Sequence, residues 1–237
     1  MKSITTYRGW EYASKGDYHK DLDPNWTYLP TYLKKMQYVR TFLDALSAEA
    51  EILDAGCGEG VLVEEYAIKG YHIKGIDLNY ASDFVIQADV LNIPFSDKSF
   101  DVVLLLDVFE HLSFLDQPKV LKEIHRVLKR DGYLLLSVPN LSHLASRIQF
   151  SVFGRFNRTD IEENHVGERP ISENRDLLQA NRFAIEKEAG ITLTLPIIYN
   201  QICKNPTKLT PLHNMLDHVA IPSLAMLNFF ICRKKEP

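Results

Sequence analysis

The sequence predicts an α/β fold of the doubly wound class, with a mostly parallel sheet covered by helices on both sides and a helical lid at the N-terminus. Two observations indicate this class. Short apolar segments alternate with helical patterns, as in chains that return to a parallel sheet through crossover helices. The segment at 102–106 has five apolar residues in a row and no polar face, which is typical of a strand covered on both sides.

The first thirty residues predict a loop-rich segment laid over another part of the fold. They mix Gly, Asp and Lys with the aromatic residues Tyr7, Trp10, Tyr12, Tyr18, Trp26 and Tyr28. From Tyr32 a helical period sets in, with apolar positions Leu33, Met36, Val39, Phe42, Leu43 and Leu46. The aromatic segment has two interpretations, a lid that seals an acceptor site and plain packing against the sheet edge.

Strands and helices then alternate. Strands are predicted at 51–55, 71–77, 84–88, 100–106 and 133–138, with helices at 61–69 and 117–129. After Pro139 the pattern predicts a helix at 144–153, a polar loop at 154–169, a helix capped by Ser172, and strands at 183–189 and 224–232. The stretch 191–218 has no clear pattern.

Composition excludes several classes of protein. The chain has 237 residues, 46% of them apolar, which is ordinary for a globular protein and suits one domain. A net charge of −4 argues against a partner bound through nucleic-acid phosphates. The cysteines Cys57, Cys203 and Cys232 are far apart and odd in number, so neither a zinc site nor a disulfide framework is indicated. We expect a reduced, cytoplasmic protein without a secretory leader or a stable membrane insertion, because the apolar-leaning stretch 219–232 is broken and too short.

The strongest functional signal is a glycine cluster between a predicted strand and a predicted helix. Gly56, Gly58 and Gly60 follow the strand at 51–55, and Asp77 ends the next strand seventeen residues after Gly60. A carboxylate at that place can accept hydrogen bonds from both hydroxyls of a ribose. The other interpretation is a strand–turn–helix whose glycines serve packing alone.

The spacing of the glycines favours adenosine without phosphates. Dinucleotide sites use G-x-G-x-x-G, whereas this loop reads G-x-G-x-G and has Val61 at the position of the third dinucleotide glycine. The phosphate-binding pattern G-x-x-x-x-G-K-[ST] is absent from the sequence. A nicotinamide oxidoreductase is therefore disfavoured.

Several ordered motifs extend this signal from about Tyr38 to Asn140. They are the strings LDAGCGEG, GID, QAD, IPF, SFDVV, LDVFEHL, EIHRVLKRDGY and SVPN. With these motifs the chain resembles the class I S-adenosylmethionine-dependent methyltransferases, in the subgroup that includes ubiquinone and menaquinone biosynthesis enzymes and many small-molecule methyltransferases. The resemblance implies a Rossmann-like fold with a seven-stranded sheet and S-adenosylmethionine as the cofactor.

The resemblance also implies roles for individual residues. Asp54 and the backbone of 55–60 would hold the methionine part of the cofactor, Asp77 the ribose, Asp89 the adenine amine, and Asp107 the region of the sulfonium. The full set of predicted cofactor-binding residues is Asp54, Ala55, Gly56, Cys57, Gly58, Gly60, Asp77, Leu78, Asp89, Val90, Leu106 and Asp107.

Two histidines are the predicted catalytic residues, His111 and His165. A helix starting near Asp107 would place Asp107, Glu110 and His111 on one face. Some ubiquinone-type enzymes carry two glutamates and a histidine there and hold a divalent cation, but Asp107 has a shorter arm than glutamate, so we expect no metal. The alternative interpretation is that His111 belongs to a helix start that is common in the wider family and has no catalytic role.

His165 lies in the predicted loop at 154–169, where related enzymes often have a histidine near the acceptor, and it could act as a base. The alternative interpretation is that His165 is a solvated loop histidine without a catalytic role. His143 has a similar but weaker claim.

Together these observations predict one methyltransferase domain that transfers a methyl group to a small molecule, with oxygen as the preferred acceptor atom. Its parts are 1–47 as lid and helix, 48–140 as cofactor-binding core, and 141–237 as acceptor-site insertion and last strands. Quinone-like, lipid-linked and sugar acceptors all fit, and no nucleic-acid partner is expected. The alternative is a regulatory protein that binds S-adenosylmethionine without catalysis.

Overall fold

The structure is a computed structural model that describes residues 22–157, 164–195, 208–209, 211, 215–216 and 220–236. Most of the aromatic N-terminal segment therefore lies outside the described residues, as do residues 158–163 of the predicted polar loop. Within the described part, no helix is both long enough and apolar enough to cross a bilayer.

Among the described residues, seven strands and five α-helices have defined bounds. The strands are β1 Glu51–Ala55, β2 His72–Asp77, β3 Val85–Gln87, β4 Phe100–Leu106, β5 Leu128–Pro139, β6 Phe183–Leu193 and β7 Ala225–Lys234. The helices are α1 Leu29–Leu43, α2 Val61–Ile68, α3 Gln117–Val127, α4 Leu144–Phe153 and α5 Ile171–Ala180. A short 3₁₀ turn, Phe109–His111, follows β4.

All seven strands form one sheet in the order β3-β2-β1-β4-β5-β7-β6. The pairs from β3 to β5 are parallel, and β7 runs antiparallel between β5 and β6. The strand order reverses between β1 and β4, so the crossovers on the two sides diverge there and leave a crevice at the carboxyl edge, where doubly wound sheets bind ligands. The predicted fold class is confirmed.

Successive residues of the central strands are buried in two separate apolar cores, one on each face of the sheet. Leu53 and Val103 lie in a core with α3 and α5, whereas Ile52 and Val102 lie in a core with α1 and α2. Successive side chains of a strand point to opposite faces, so both faces of the central strands are covered by helices.

Local details depart from the sequence prediction in three places. Leu33, predicted on the apolar face of α1, is 45% exposed. Helix α5 begins at Ile171 without a side-chain cap, so the cap predicted at Ser172 is wrong. The strand predicted at 133–138 begins earlier, because β5 starts at Leu128; within it Asp131 takes a positive φ of 60° and the pairing with β4 shifts register.

Asn140 joins the elements that follow β5 to the sheet. Its side chain is fully buried, and its Nδ2 donates to the carbonyl of Ala225 at 2.9 Å. Its Oδ1 accepts from the backbone N–H of Ser142 and of Ile171, each at 3.1 Å. One amide therefore ties the end of β5 to the starts of β7 and α5.

We expect Asn140→Ala to lower the free energy of unfolding by about 3–5 kcal/mol, because it leaves the Ile171 N–H and the Ala225 carbonyl buried without partners, at about 1–3 kcal/mol each. Chemical denaturation measures the loss. Asn92→Ala, at an exposed side chain, is the control and should stay within about 0.5 kcal/mol of the parent. A loss below 1 kcal/mol at Asn140 would contradict its role as the anchor.

Candidate functional site

The predicted cofactor residues gather at the carboxyl edge of the sheet. Asp54 and Ala55 end β1, Asp77 ends β2, and Leu106 ends β4. Asp89 and Val90 follow the end of β3 within three residues. Because the carboxyl ends of parallel strands meet at one edge, residues far apart in sequence are brought to the crevice beside the strand-order reversal.

The glycine loop is packed so closely that its first and last glycines leave no room for a side chain. Gly56 and Gly60 both have φ of 83°, a left-handed conformation that L side chains rarely adopt. A Cβ on Gly60 would lie 2.6 Å from a methyl of Val85, and one on Gly56 would collide with Val108. A side chain is therefore excluded at the first and last glycine of the loop between β1 and α2, and α2 begins directly after Gly60.

Asp77 closes the loop from the next strand. Its Oδ2 accepts from the N–H of Gly58 at 3.0 Å, and its Oδ1 accepts from the N–H of Asn79 at 2.8 Å. These bonds hold the carboxylate against the glycine loop, and each oxygen keeps lone-pair capacity for a further donor. Asp89 is fixed in the same manner by the N–H of Leu91 at 2.9 Å.

Asp107 is bound by a lysine that is not among the predicted site residues, Lys35. Its Oδ2 accepts from Lys35 Nζ at 2.6 Å and from the Tyr28 hydroxyl at 3.2 Å, while Ser137 Oγ donates to Oδ1. Burial alone would raise the pKa of Asp107, but the charge of Lys35 and these hydrogen bonds outweigh it and lower that pKa. Asp107 is thus an ionised anchor for α1.

The helix predicted from Asp107 is wrong. Asp107 has φ of 54°, outside the right-handed helical region, and the 3₁₀ turn covers only Phe109–His111. The strand end and the ion pair with Lys35 hold Asp107 in this conformation. It therefore does not share a helix face with Glu110 and His111.

Two further carboxylates in the crevice are destabilised in their charged form. Burial raises the pKa of Asp54 to about 7. The charge of Lys35 opposes this shift, and the charge of Asp77 adds to it. Burial raises the pKa of Glu110 well above its usual range. The charges of Asp107 and Glu168 add to this shift, and the charge of Lys35 opposes it. Lys35 acts on Asp54, Asp107 and Glu110, so these groups share one electrostatic environment.

His111 and His165 are brought together, as their joint assignment to one site requires. Their ring centroids lie 4.9 Å apart in an edge-on arrangement, and the Nδ1 of His111 lies 2.9 Å from the carbonyl oxygen of Asn164. His165 is 7% exposed, so the interpretation as a solvated loop histidine is wrong. His143 instead spans Thr194 Oγ1 and the carbonyl of Asn157, and burial lowers its pKa, so it pins neighbouring segments as a neutral ring.

The segment that carries His165 is tied to the 3₁₀ turn by backbone contacts. The N–H of Gly167 donates to the carbonyl of Glu110 at 2.8 Å. The buried Gln117 Nε2 donates to the carbonyls of Gly167 and Phe109 at 2.7 and 3.0 Å, and its Oε1 accepts from Arg169. These bonds set the position of His165 relative to His111.

Lys35, Tyr28 and Glu168 are site residues that sequence reasoning missed. A signal for Lys35 was present, because it lies three residues after Tyr32 and four before Val39, on the stripe of α1 that buries. A lysine on an apolar stripe needs a buried partner.

The sheet order and the glycine loop define a doubly wound α/β domain. In such domains the ligand site lies at the strand-order reversal. Residues 26–189 match a family described as a methyltransferase domain, and the chain belongs to that family. The predicted membership of the methyltransferases is confirmed.

Curated relatives agree with this membership over part of their length. A probable S-adenosylmethionine-dependent methyltransferase of Mycolicibacterium smegmatis is 32% identical over 61% of this chain and 56% of its own. A ubiquinone biosynthesis O-methyltransferase of Pseudomonas syringae is 32% identical over 39% of this chain and 46% of its own. A Bacillus subtilis relative named for 23S rRNA (guanine-N(1)-) methylation is 36% identical over 42% and 37%. The matches thus span about half the length of these relatives, or less.

A solved structure with the same fold carries a cofactor product and an acceptor. The 1,6-didemethyltoxoflavin-N1-methyltransferase of Burkholderia thailandensis, with bound 1,6-didemethyltoxoflavin and S-adenosylhomocysteine, aligns with a TM-score of 0.57 over 96% of this chain and 85% of its own. At 17% identity the likeness shows the fold alone.

We expect Lys35→Met to lower the free energy of unfolding at pH 8 by about 3 kcal/mol, because it leaves Asp107 largely buried without its cation. Urea denaturation measures the change. Lys34→Met alters the neighbouring, half-buried lysine of the same helix and should cost no more than about 0.5 kcal/mol. Equal losses in the two variants would show that the ion pair does not stabilise α1.

We expect the raised pKa of Asp54 to make stability fall as pH rises from about 4 to 7, because the native state then keeps a proton that the unfolded chain has lost. Asp54→Asn removes this slope. The stability difference between variant and parent should therefore grow in favour of the variant by a few kcal/mol, about 1.4 per pKa unit, between pH 4.5 and 7.5.

Urea denaturation at both pH values tests this, with the exposed Asp83→Asn as control. A difference for Asp54→Asn that is the same at both pH values would rule out the buried, protonated carboxyl.

Proposed function

We propose that this chain is an S-adenosylmethionine-dependent methyltransferase that acts on a small molecule, with oxygen as the acceptor atom. The observation that supports the proposal is the juxtaposition of the glycine loop with carboxyl groups at the strand-order reversal. In this proposal 48–140 bind the cofactor, and 141–237 shape the acceptor side.

The residues present fit this cofactor. Gly56 and Gly60 take a left-handed backbone conformation and leave no room for a Cβ against Val108 and Val85, so the loop turns sharply at the carboxyl end of β1, where the cofactor would lie in this proposal. Asp77 supplies negative charge that suits a ligand with an ammonium group and a positive sulfur, and a cationic group bound beside Asp54 would favour the ionised form of that carboxyl. The carboxylate of Asp77, held by Gly58, offers acceptors to ribose hydroxyls.

The protein's task in the reaction is alignment and exclusion of water. When bound, the cofactor supplies a methyl group on a positively charged sulfur, and the sulfur keeps the electron pair as the carbon–sulfur bond breaks. In this proposal His111 and His165, whose rings lie 4.9 Å apart, border the acceptor oxygen. A hydroxyl acceptor must give its proton to a base or to solvent, and an alignment of reactants can supply much of the rate.

The cofactor assignment is tested with Asp77→Ala. We expect the affinity for S-adenosylhomocysteine to fall by about 1.5–3 kcal/mol, the range for hydrogen bonds to a charged group. Isothermal titration measures it, and Asp83→Ala, an exposed aspartate six residues later, should bind as the parent does. Unchanged binding in Asp77→Ala would contradict the ribose assignment.

The acceptor class is tested with labelled methyl from S-adenosylmethionine in a metabolite extract that includes RNA. Label in organic solvent would identify a quinone or lipid acceptor, and label among aqueous small molecules a sugar or polar metabolite. Label in RNA would overturn the small-molecule proposal. No transfer with intact cofactor binding would overturn catalysis and favour the regulatory alternative.

A further inference from the structure

Three potential metal ligands converge beside the acceptor side of the crevice. One carboxylate oxygen of Glu110 and one ring nitrogen each of His111 and His165 all lie within 4.8 Å of one another. They come from the 3₁₀ turn and from the 164–169 segment, which the Gly167 and Gln117 hydrogen bonds hold together. The convergence is therefore built by the backbone of both segments.

Glu110 carries a buried oxygen that the described residues leave without a hydrogen bond. Its side chain is 2% exposed, and Oε2 has no partner among them. A buried carboxylate oxygen without a donor is costly, commonly by more than 1 kcal/mol, and persists where something else compensates it. A bound cation would give Oε2 the partner that no N–H or O–H among the described residues supplies.

His111 is oriented as metal-binding histidines are. Its Nδ1 lies 2.9 Å from the Asn164 carbonyl, which accepts only if Nδ1 carries the hydrogen. Nε2 is then the unprotonated nitrogen and can act as a ligand. A backbone carbonyl that fixes the tautomer in this manner is the usual outer partner of a metal-bound imidazole.

We propose that Glu110, His111 and His165 form a binding site for a divalent transition-metal ion such as Zn²⁺. This assignment replaces the sequence expectation of no metal, and its residues differ from the motif of two acids and a histidine. Asp107 lies outside the set because Lys35, Tyr28 and Ser137 engage it.

The donor set decides the class of ion. Two imidazoles and one carboxylate suit Zn²⁺ and its neighbours in the first transition row, whereas Mg²⁺ prefers oxygen ligands and keeps most of its waters. Three protein ligands leave an open position on a four-coordinate ion. Resting on the proposed function, that position would take the acceptor oxygen and lower the pKa of its hydroxyl.

Metal binding is measured directly on the full-length protein, after removal of metals with a chelator. Co²⁺ serves as the probe, because its visible absorption changes when imidazole and carboxylate replace water. We expect one Co²⁺ per chain, displaced by Zn²⁺ and not by a hundredfold higher concentration of Mg²⁺. The melting temperature should rise with Zn²⁺, as it does for any ligand that binds the native state alone.

Glu110→Gln and His165→Gln should each weaken Co²⁺ binding by at least about 100-fold. Loss of an outer-shell partner already costs up to about 100-fold, and loss of a direct ligand should cost no less. His72→Gln is the matched control, because His72 lies beside Glu51 in an exposed pair at 3.2 Å without a third ligand. It should bind Co²⁺ as the parent does. Circular dichroism and S-adenosylhomocysteine binding verify that each variant is folded.

The outcomes separate this site from the proposed function. Loss of Co²⁺ in both variants with retained S-adenosylhomocysteine binding supports the site. Co²⁺ binding that survives His165→Gln, or a parent protein that binds S-adenosylhomocysteine but no Co²⁺, overturns the site and leaves the proposed function standing. A parent that binds Co²⁺ but neither S-adenosylhomocysteine nor S-adenosylmethionine would support the site and overturn the function.

Discussion

The crevice depends on the interaction between Lys35 and a concentration of negative charge. Parallel strands deliver their ends to one edge, so Asp54 and Asp107 meet there with Glu110 from the following turn. Lys35 favours the charged form of all three carboxylates. The same lysine docks α1 through Asp107, which makes the packing of this helix and the electrostatics of the site one interaction.

The two sides of the crevice are built on different principles. The cofactor side is made of strand ends and the glycine loop, so the sheet itself sets its geometry. The acceptor side is made of connections, and buried amides take the place of the ladder. Gln117 ties the 164–169 segment to the 3₁₀ turn, and Asn140 ties α5 and β7 to β5. Single substitutions should therefore affect the acceptor side more than the sheet edge.

Local signals were sufficient for the cofactor side and insufficient for the acceptor side. The glycine loop is predictable because a strand, a close approach and a helix start follow one another within ten residues. Lys35 and Asp107 are 72 residues apart, and no local period reveals that they pair. The helix predicted from Asp107 failed for the same reason, because a tertiary ion pair and a positive φ override the spacing.

Local costs of several kinds occur across the described residues, and three of them meet in the crevice. Lys234 is buried at 4% exposure, but its Nζ donates to the carbonyl of Leu128 at 2.8 Å, so its burial is compensated within the fold. Asp54 is buried with a raised pKa, and Glu110 has an orphan oxygen. Asp107 has a positive φ directly after a strand. These three costs fall within one crevice, and selection for stability alone would favour their removal. Costs that persist together at the strand-order reversal are what a site that completes its charge balance with ligands requires.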